Sequence, residues 1–428
     1  MPGDNSKGAD EDVVIIGAGA AGIAAARRLL AIRPDLSILL LEAGDRLGGR
    51  AWTASLPEAF DIGLDLGCGW LHGARTNAWT AIAGEVGLTV DRTPAPWNDG
   101  GRRLQRDDAE AHAASQAIGA YFKRLESHAG NDAAMADMLE PGNPWNGQIR
   151  AVGTYITGAE LERSSVVDYN QYDPGPGPDW RVREGYGTLV SLYGKPVRAR
   201  RGTEVTRIDH RHAGRIVIET NQGVLSAGAV LVTVSTNVLA AGKIAFDPPL
   251  PDKIEAAARL PLGLADKLFL KLANQEALPA DTHMLGSTRR GATGTYQLRP
   301  FGDPVVEAYF AGDLAHDLEG QGREAAFSFA GDELAAHFGA DIRKELSVAA
   351  MSAWAAASHI GGSYSYAEPG ASDQRGRLAA PHDERIFFAG EACSTSRYST
   401  AHGAYETGVA AAELIAGRFR KVRDPRQP

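Results

Sequence analysis

The sequence predicts a mixed α/β protein in two parts, a domain built on a parallel sheet and a second α+β domain. Three observations carry this expectation. At 428 residues the chain is longer than one ordinary domain. Val13-Val14-Ile15-Ile16 is a continuous apolar run, as a parallel strand buried on both faces should be, and Ile38 to Leu41 repeats it one helix later. Thr203–Ile208, Arg215–Thr220 and Ala229–Val234 are further β-rich segments separated by turn residues, lying beyond an Ala-rich helical stretch from Leu104 to Ala129.

Composition narrows the function classes. With 44% hydrophobic and 23% charged residues the chain has a globular profile and ample core material. A net charge of −9 argues against nucleic acid as the main partner, because phosphate binding needs clustered Lys and Arg. The basic run from Arg418 to Arg426 is short and reads as a solvated end. Two cysteines, Cys68 and Cys393, make neither a disulfide framework nor a metal cluster, so no metal is expected. Met1 to Asp12 has no apolar core of a signal peptide, and no apolar run reaches the roughly 20 residues of a membrane span. A cytoplasmic protein without a membrane partner, monomeric or homodimeric, is the expectation.

The first strand leads into Gly17-Ala18-Gly19-Ala20-Ala21-Gly22, a G-x-G-x-x-G turn. Ile23 to Leu30 then reads as a helix, and the second strand closes on Glu42, twenty residues after Gly22. The glycines give a tight turn, close backbone approach to a pyrophosphate, and close packing of helix on strand. The pyrophosphate charge would sit on the free N–H groups at the helix start, and Glu42 stands where a ribose-binding carboxylate belongs. Strand, turn, helix, strand and acid in order make a strong Rossmann-like signal, where the turn alone would be weak. Glu42-Ala43-Gly44-Asp45-Arg46-Leu47-Gly48-Gly49-Arg50 follows, with two glycines that let backbone approach a phosphate and two guanidinium donors in Arg46 and Arg50. A second phosphate-binding turn suits FAD better than a nicotinamide cofactor.

The run Glu42 to Thr53 resembles the E-A-x-x-R-x-G-G-R signature of the flavin-containing amine oxidase family, and other segments extend the likeness along most of the chain. Gly67 to Gly73 resembles the polyamine oxidase stretch in which a His, here His72, faces the substrate channel. Gly263 to Leu270 is similar to the segment whose lysine, here Lys267, holds a water against flavin N5. Its place before an alternating strand would point that side chain inward. Gly361 to Tyr366 matches the segment that carries the flavin-linked cysteine in monoamine oxidases. Ser363 stands there instead and cannot make the thioether, so non-covalent FAD is implied, while Tyr364 keeps an aromatic wall. Trp354 is either a second wall residue or core packing. Ile386 to Glu391 resembles the C-terminal flavin segment, with Gly390 at the strand end and Glu391 set to bond the ribityl chain. Thr400 and Ala401 open a helix expected to run to about Ile415 and stop at Gly417. Thr400 replaces the second cage tyrosine of monoamine oxidases. His402 reads as structural, and Val205 lies in the segment that contacts adenine through backbone groups. Ser235 departs from a proline common in the family.

The resemblance implies a glutathione-reductase-type FAD domain of residues 11–75, 195–250 and 380–420, and a substrate domain of 76–194 and 251–379. Residues 1–10 and 421–428 would be flexible ends. The implied chemistry is oxidation of an amine C–N bond by hydride transfer to flavin N5, hydrolysis of the imine to aldehyde, and reduction of O2 to H2O2. The incomplete aromatic cage favours a polyamine or other alkylamine, although only Asp168, Asp173 and Glu184 suggest themselves, by region, for a distal ammonium. An L-amino-acid oxidase would need an arginine for the carboxylate, and none can be placed. A monoamine (arylalkylamine) oxidase and a non-catalytic flavin-stabilised binding module stay open as readings. A carotenoid or porphyrinogen dehydrogenase shares the N-terminal signal but fits the Lys267 and Thr400–Ala404 segments less well. A chromatin demethylase also fits less well without a long heptad insertion.

Overall fold

The computed structural model describes residues 10–54, 63–97, 102–104 and 108–422. Residues 1–9 and 423–428, most of the expected flexible ends, lie outside the described residues. The chain divides into two units, Met1–Arg50 with Val190–Leu260 and Asp373–Pro428, and Ala51–Leu189 with Pro261–Ser372.

In the first unit the strands Ile386–Phe388, Gly223–Val232, Asp10–Ile16, Ile38–Leu41 and Ala199–Arg200 run parallel in that spatial order. Val13, Val14 and Ile15 are fully buried, as the unbroken apolar run requires. The strand Gly223–Val232 serves two partners along one edge. Its first half pairs antiparallel with Ile216–Thr220, which pairs in turn with Val205–Asp209, and its last three residues pair with Ile386–Phe388. The helix Ala20–Ile32 packs against the C-terminal helix Ala401–Val422. That second helix runs through Gly417, against the expected stop. An interior glycine costs only about 1 kcal/mol relative to alanine and keeps its N–H donor, so burial of the flanking Ile415 and Ala416 carries the helix past it.

The second unit has a six-stranded sheet in the order Leu346–Met351, Ala265–Leu272, Val305–Ala311, Thr295–Leu298, Thr282–Leu285 and Arg102–Arg103. Helices Asp313–Gln321 and Arg323–Phe338 cover one face, burying Leu268, Leu270, Val306, Phe310, Leu318 and Leu334. The opposite face meets the small hairpin Thr53–Ala54 and Leu64–Asp65, where Leu64, Leu66, Phe269 and Val305 cluster. This cover explains two differences from the sequence reading. Residues 51–75, read with the first domain, group with the second unit because their apolar residues seal its sheet. The strand Ala265–Leu272 is buried on both faces rather than alternating, so Asp266 and Lys267 are both inside. Helices Asp108–Glu126, Asn146–Thr157 and Val166–Gln171 complete the unit around Tyr121, Leu125, Trp145 and Ile149.

Candidate active site

The glycine turn of the first unit is locked by its neighbours. Gly17 donates to the Leu41 carbonyl at 2.8 Å and Ala18 donates to Glu42 Oε2 at 2.7 Å. A Cβ on Gly22 would stand 2.0 Å from the Gly17 carbonyl oxygen, so helix and turn approach as closely as the motif demands. A Cβ on Gly19 would meet nothing within 4 Å, so the turn opens on that side. Helix Ala20–Ile32 starts at Gly19 without a side-chain cap and without an acidic residue in its first turn. Its first N–H groups thus have no side-chain cap among the described residues, the arrangement that receives an anion. Ala20 and Ala21 are buried at that start. The second turn lies against the first: Gly48 donates to the Ala18 carbonyl at 2.8 Å, and a Cβ on Gly49 would stand 3.1 Å from Gly19 Cα.

The carboxylates expected to hold sugar hydroxyls also hold the backbone. Glu42 accepts from Ala18 and, at 2.8 Å, from Gly44, which fixes Ala43 between them. Glu391 takes the Ser399 amide at 2.9 Å on one oxygen and Arg50 at 2.8 Å on the other. Arg50, expected as a phosphate donor, is an ion-pair partner of Glu391, which spacing across 341 residues could not reveal. Burial pushes the Arg46 guanidinium down, with Glu42 and Asp45 opposing. Val205 is buried, and the loop before it is tied to the Glu42 carbonyl through Thr203 N–H at 2.8 Å. Ser235 caps the short helix Thr236–Ala240, so the missing proline leaves a defined turn. Thr400 caps the C-terminal helix, accepting from Gly403 N–H at 3.0 Å, with Ala401 as first helical residue and His402 buried. Arg50, Val232, Thr236, Phe388, Gly390 and Glu391 line a narrow cleft. The Thr236 hydroxyl is buried there without a partner among the described residues. An open glycine cradle, an uncapped helix start and an orphaned hydroxyl fit an anionic dinucleotide such as FAD.

The second unit gathers the remaining candidates. Lys267 Nζ pairs with Glu307 Oε1 at 2.8 Å, and Glu307 Oε2 takes Arg181 at 2.7 Å. Burial pushes the Glu307 carboxyl up, and the two cations outweigh that, holding it below the usual glutamate value. Nearby Asp65 accepts from Thr53 Oγ1 at 2.6 Å and from the Tyr186 and Gly187 amides. Burial raises its carboxyl, with Lys267 the largest opposing influence. His72 Nδ1 stands 3.1 Å from Asp179 Oδ1, and the Trp97 indole donates to the other oxygen. Burial pushes Asp179 up, but His72, Trp97 and the Gly73 amide outweigh it and leave the carboxyl below the ordinary aspartate value. Leu71 and Trp180 bridge their backbones, holding the Gly67–Gly73 stretch against the loop that follows Pro174-Gly175-Pro176-Gly177-Pro178.

Tyr364 is half-buried, with its hydroxyl 2.6 Å from that of Tyr309 and 2.7 Å from the Tyr155 carbonyl. Ser363 Oγ donates to the Ala265 carbonyl and accepts from its amide, both at 2.8 Å. Trp354 takes the core role of its two readings: it is 4% exposed and its indole donates to the Leu66 carbonyl at 3.0 Å. Of the acids suggested for a distal ammonium, Asp168 is buried and accepts the Ala367 amide, and Glu184 accepts the Thr89 amide. Glu307, Arg181, Asp179, Tyr309 and Tyr155 escaped the sequence reading. For Glu307 a signal existed, since it is a lone charge in the apolar run Val305 to Ala311.

The family model for flavin containing amine oxidoreductases matches residues 20–163 and 102–416. Polyamine oxidase 2 of Arabidopsis thaliana is 30% identical over 96% of this chain and 89% of its own length. Polyamine oxidase 3 of Oryza sativa subsp. japonica is 30% identical over 96% and 90%. Lysine-specific histone demethylase 1 homolog 1 of the same rice is 29% identical over 97% of this chain but 54% of its own. A solved putrescine oxidase triple mutant with redesigned cofactor binding shares the fold at a TM-score of 0.77 and 18% identity, covering 96% of this chain and 99% of its own. The chain belongs to the flavin-containing amine oxidoreductase family and is an FAD-dependent amine oxidase whose flavin is bound without a covalent link.

Proposed function

We propose that the substrate is a polyamine or another extended alkylamine, with O2 as electron acceptor and H2O2 as product. The observation that carries this reading is the likeness, over nearly the whole chain, to plant proteins named polyamine oxidases. The second unit supports it. An Asp179 carboxylate held in its charged form beside His72 and the Trp97 indole suits a cationic chain better than an aryl group. Cys68 and Cys393 are not joined in a disulfide, which suits a reducing, cytoplasmic setting.

When bound, the flavin supplies the acceptor for the hydride that leaves the carbon beside nitrogen. The chain's own groups bind, orient and dry the site. Tyr364, with its hydroxyl tied to Tyr309 and the Tyr155 carbonyl, presents a fixed ring rather than a rotating one. Asp179 on Nδ1 leaves His72 Nε2 free to meet the substrate nitrogen. Thr400 stands where the resemblance puts the second cage tyrosine of monoamine oxidases, and that absence of a ring supports an alkylamine over a flat arylalkylamine. Lys267 carries a buried cation into the flavin half-reactions, and an ammonium held by one carboxylate keeps further N–H donors for a water. A peroxide-coupled comparison of kcat/KM for spermidine, putrescine, a secondary alkylamine, phenylethylamine and L-phenylalanine tests the substrate class. Spermidine or the alkylamine should lead. Preference for phenylethylamine would overturn the alkylamine reading, and preference for L-phenylalanine would make the chain an L-amino-acid oxidase.

A further inference from the structure

We infer that Glu307 is a positioning residue for the amine oxidase chemistry: it fixes the Lys267 ammonium, and Arg181 anchors Glu307. The inference rests on the Lys267 role proposed above. Glu307 sits in the strand Val305–Ala311 among Val305, Val306, Ala308, Phe310 and Ala311, all buried, and is itself 4% exposed. In register, Lys267 faces Tyr309 and Phe269 faces Glu307, so lysine and glutamate meet diagonally across neighbouring strands, within reach of long side chains.

A buried ion pair at this place is not the economical way to stabilise a strand. Taking two ions out of water costs several kcal/mol each, and a well-packed apolar pair of similar volume is often as stable or more so. The neighbouring residues show that this strand could carry an apolar side chain. The division of labour between the two buried acids points the same way. Asp65 spends its oxygens on the Thr53 hydroxyl and the amides of Tyr186 and Gly187, so it organises backbone. Glu307 gives one oxygen to each of two cations.

The arrangement leaves Lys267 little freedom. Its Nζ lies 3.1 Å from where a Cβ on Gly69 would stand, so the ammonium rests against the backbone of the Gly67–Gly73 stretch. Its amide donates to Ser352 Oγ at 2.8 Å, which pins the root of the side chain as well as its tip. Arg181 is held in turn by the rings of Trp70 and Phe301, each with its centroid 4.9 Å from the guanidinium carbon. A lysine on a flexible four-carbon stem becomes a fixed charge through this chain of contacts.

The test needs no amine substrate. Holoenzyme is reduced with dithionite and its reoxidation by O2 is followed in wild type, Glu307→Gln, Glu307→Asp, Lys267→Met and Glu307→Gln/Lys267→Met. Lys267→Met and Glu307→Gln should each slow reoxidation by roughly tenfold or more, since a misplaced charge forfeits most of its effect. Glu307→Asp should recover most of the loss, and Glu307→Gln should cost nothing further once Lys267 is gone. A merely structural glutamate would instead cost the same in both backgrounds. Because Glu307→Gln leaves two buried cations on one neutral amide, Glu307→Gln/Arg181→Met removes the excess and should show the same slowing. Wild-type rates in Glu307→Gln and Glu307→Gln/Arg181→Met, with Lys267→Met slow, would overturn the inference alone. A wild-type rate in Lys267→Met would overturn the Lys267 reading and the inference with it.

Discussion

The glycine turn at Gly17–Gly22 and the charge cluster around Glu307 are built in opposite ways. The turn uses backbone from six consecutive residues, closed by Glu42 through the Ala18 amide. The cluster uses the side chains of Arg181, Lys267 and Glu307, drawn from segments that meet only in the folded second unit. Backbone sites depend on what a residue lacks, because only glycine allows the contact. Side-chain sites depend on what is brought near, and that is a property of the sheet. The first kind admits no side chain at Gly17 or Gly22, and the second can be dismantled one charge at a time.

Gly22→Ala should break the first kind outright. The added Cβ would lie 2.0 Å from the Gly17 carbonyl oxygen and 3.0 Å from Thr233 Oγ1, so the helix must move off the turn. Overpacking of this sort costs about 1–3 kcal/mol, which is roughly five- to 150-fold in flavin affinity where it falls on the bound state. The ratio of flavin to protein absorbance after dialysis should fall, and full retention would show that the turn yields without cost.

Asp179→Asn sharpens the contrast from the other side. It leaves the flavin turn untouched and removes the charge that fixes the His72 ring. Flavin content should stay at the wild-type level while kcat/KM for spermidine falls by about tenfold, the worth of one charge-assisted hydrogen bond. Loss of flavin would mean that the two regions are not separable in this way.

The smallest expected effect is on acid stability. Asp179 is held below its ordinary value in the folded state, so its contribution is present above the unfolded value near 4. It is lost as pH falls through the lower folded value. Wild type should therefore lose about 1–2 °C more in Tm than Asp179→Asn on going from pH 5 to pH 3. Parallel curves for the two proteins would deny the pair any net stabilising role.

What the sequence made legible follows the same division. The strand, turn and acid from Val13 to Glu42 could be read because each step depends on near neighbours, and the structure has each in place. Lys267, His72 and Tyr364 are singled out only through family likeness, since nothing in their immediate surroundings marks them. Their partners could not be found that way. Asp179 lies 107 positions beyond His72, and the Arg50–Glu391 pair spans the chain. The same limit misplaced residues 51–75. They follow the flavin signature in sequence, but their apolar side chains belong to the sheet of Phe269 and Val305. The alternation expected at Lys267 failed for that reason too, because a strand covered on both faces loses its period of two.

The most direct measurement is anaerobic mixing of the holoenzyme with a single amine, following the oxidised-flavin band in a stopped-flow spectrometer. Spermidine or a secondary alkylamine should bleach the band, and admitting O2 should restore it with release of one H2O2 per flavin. A band that stays unchanged with every amine, while dithionite bleaches it normally, would contradict amine oxidation by this chain.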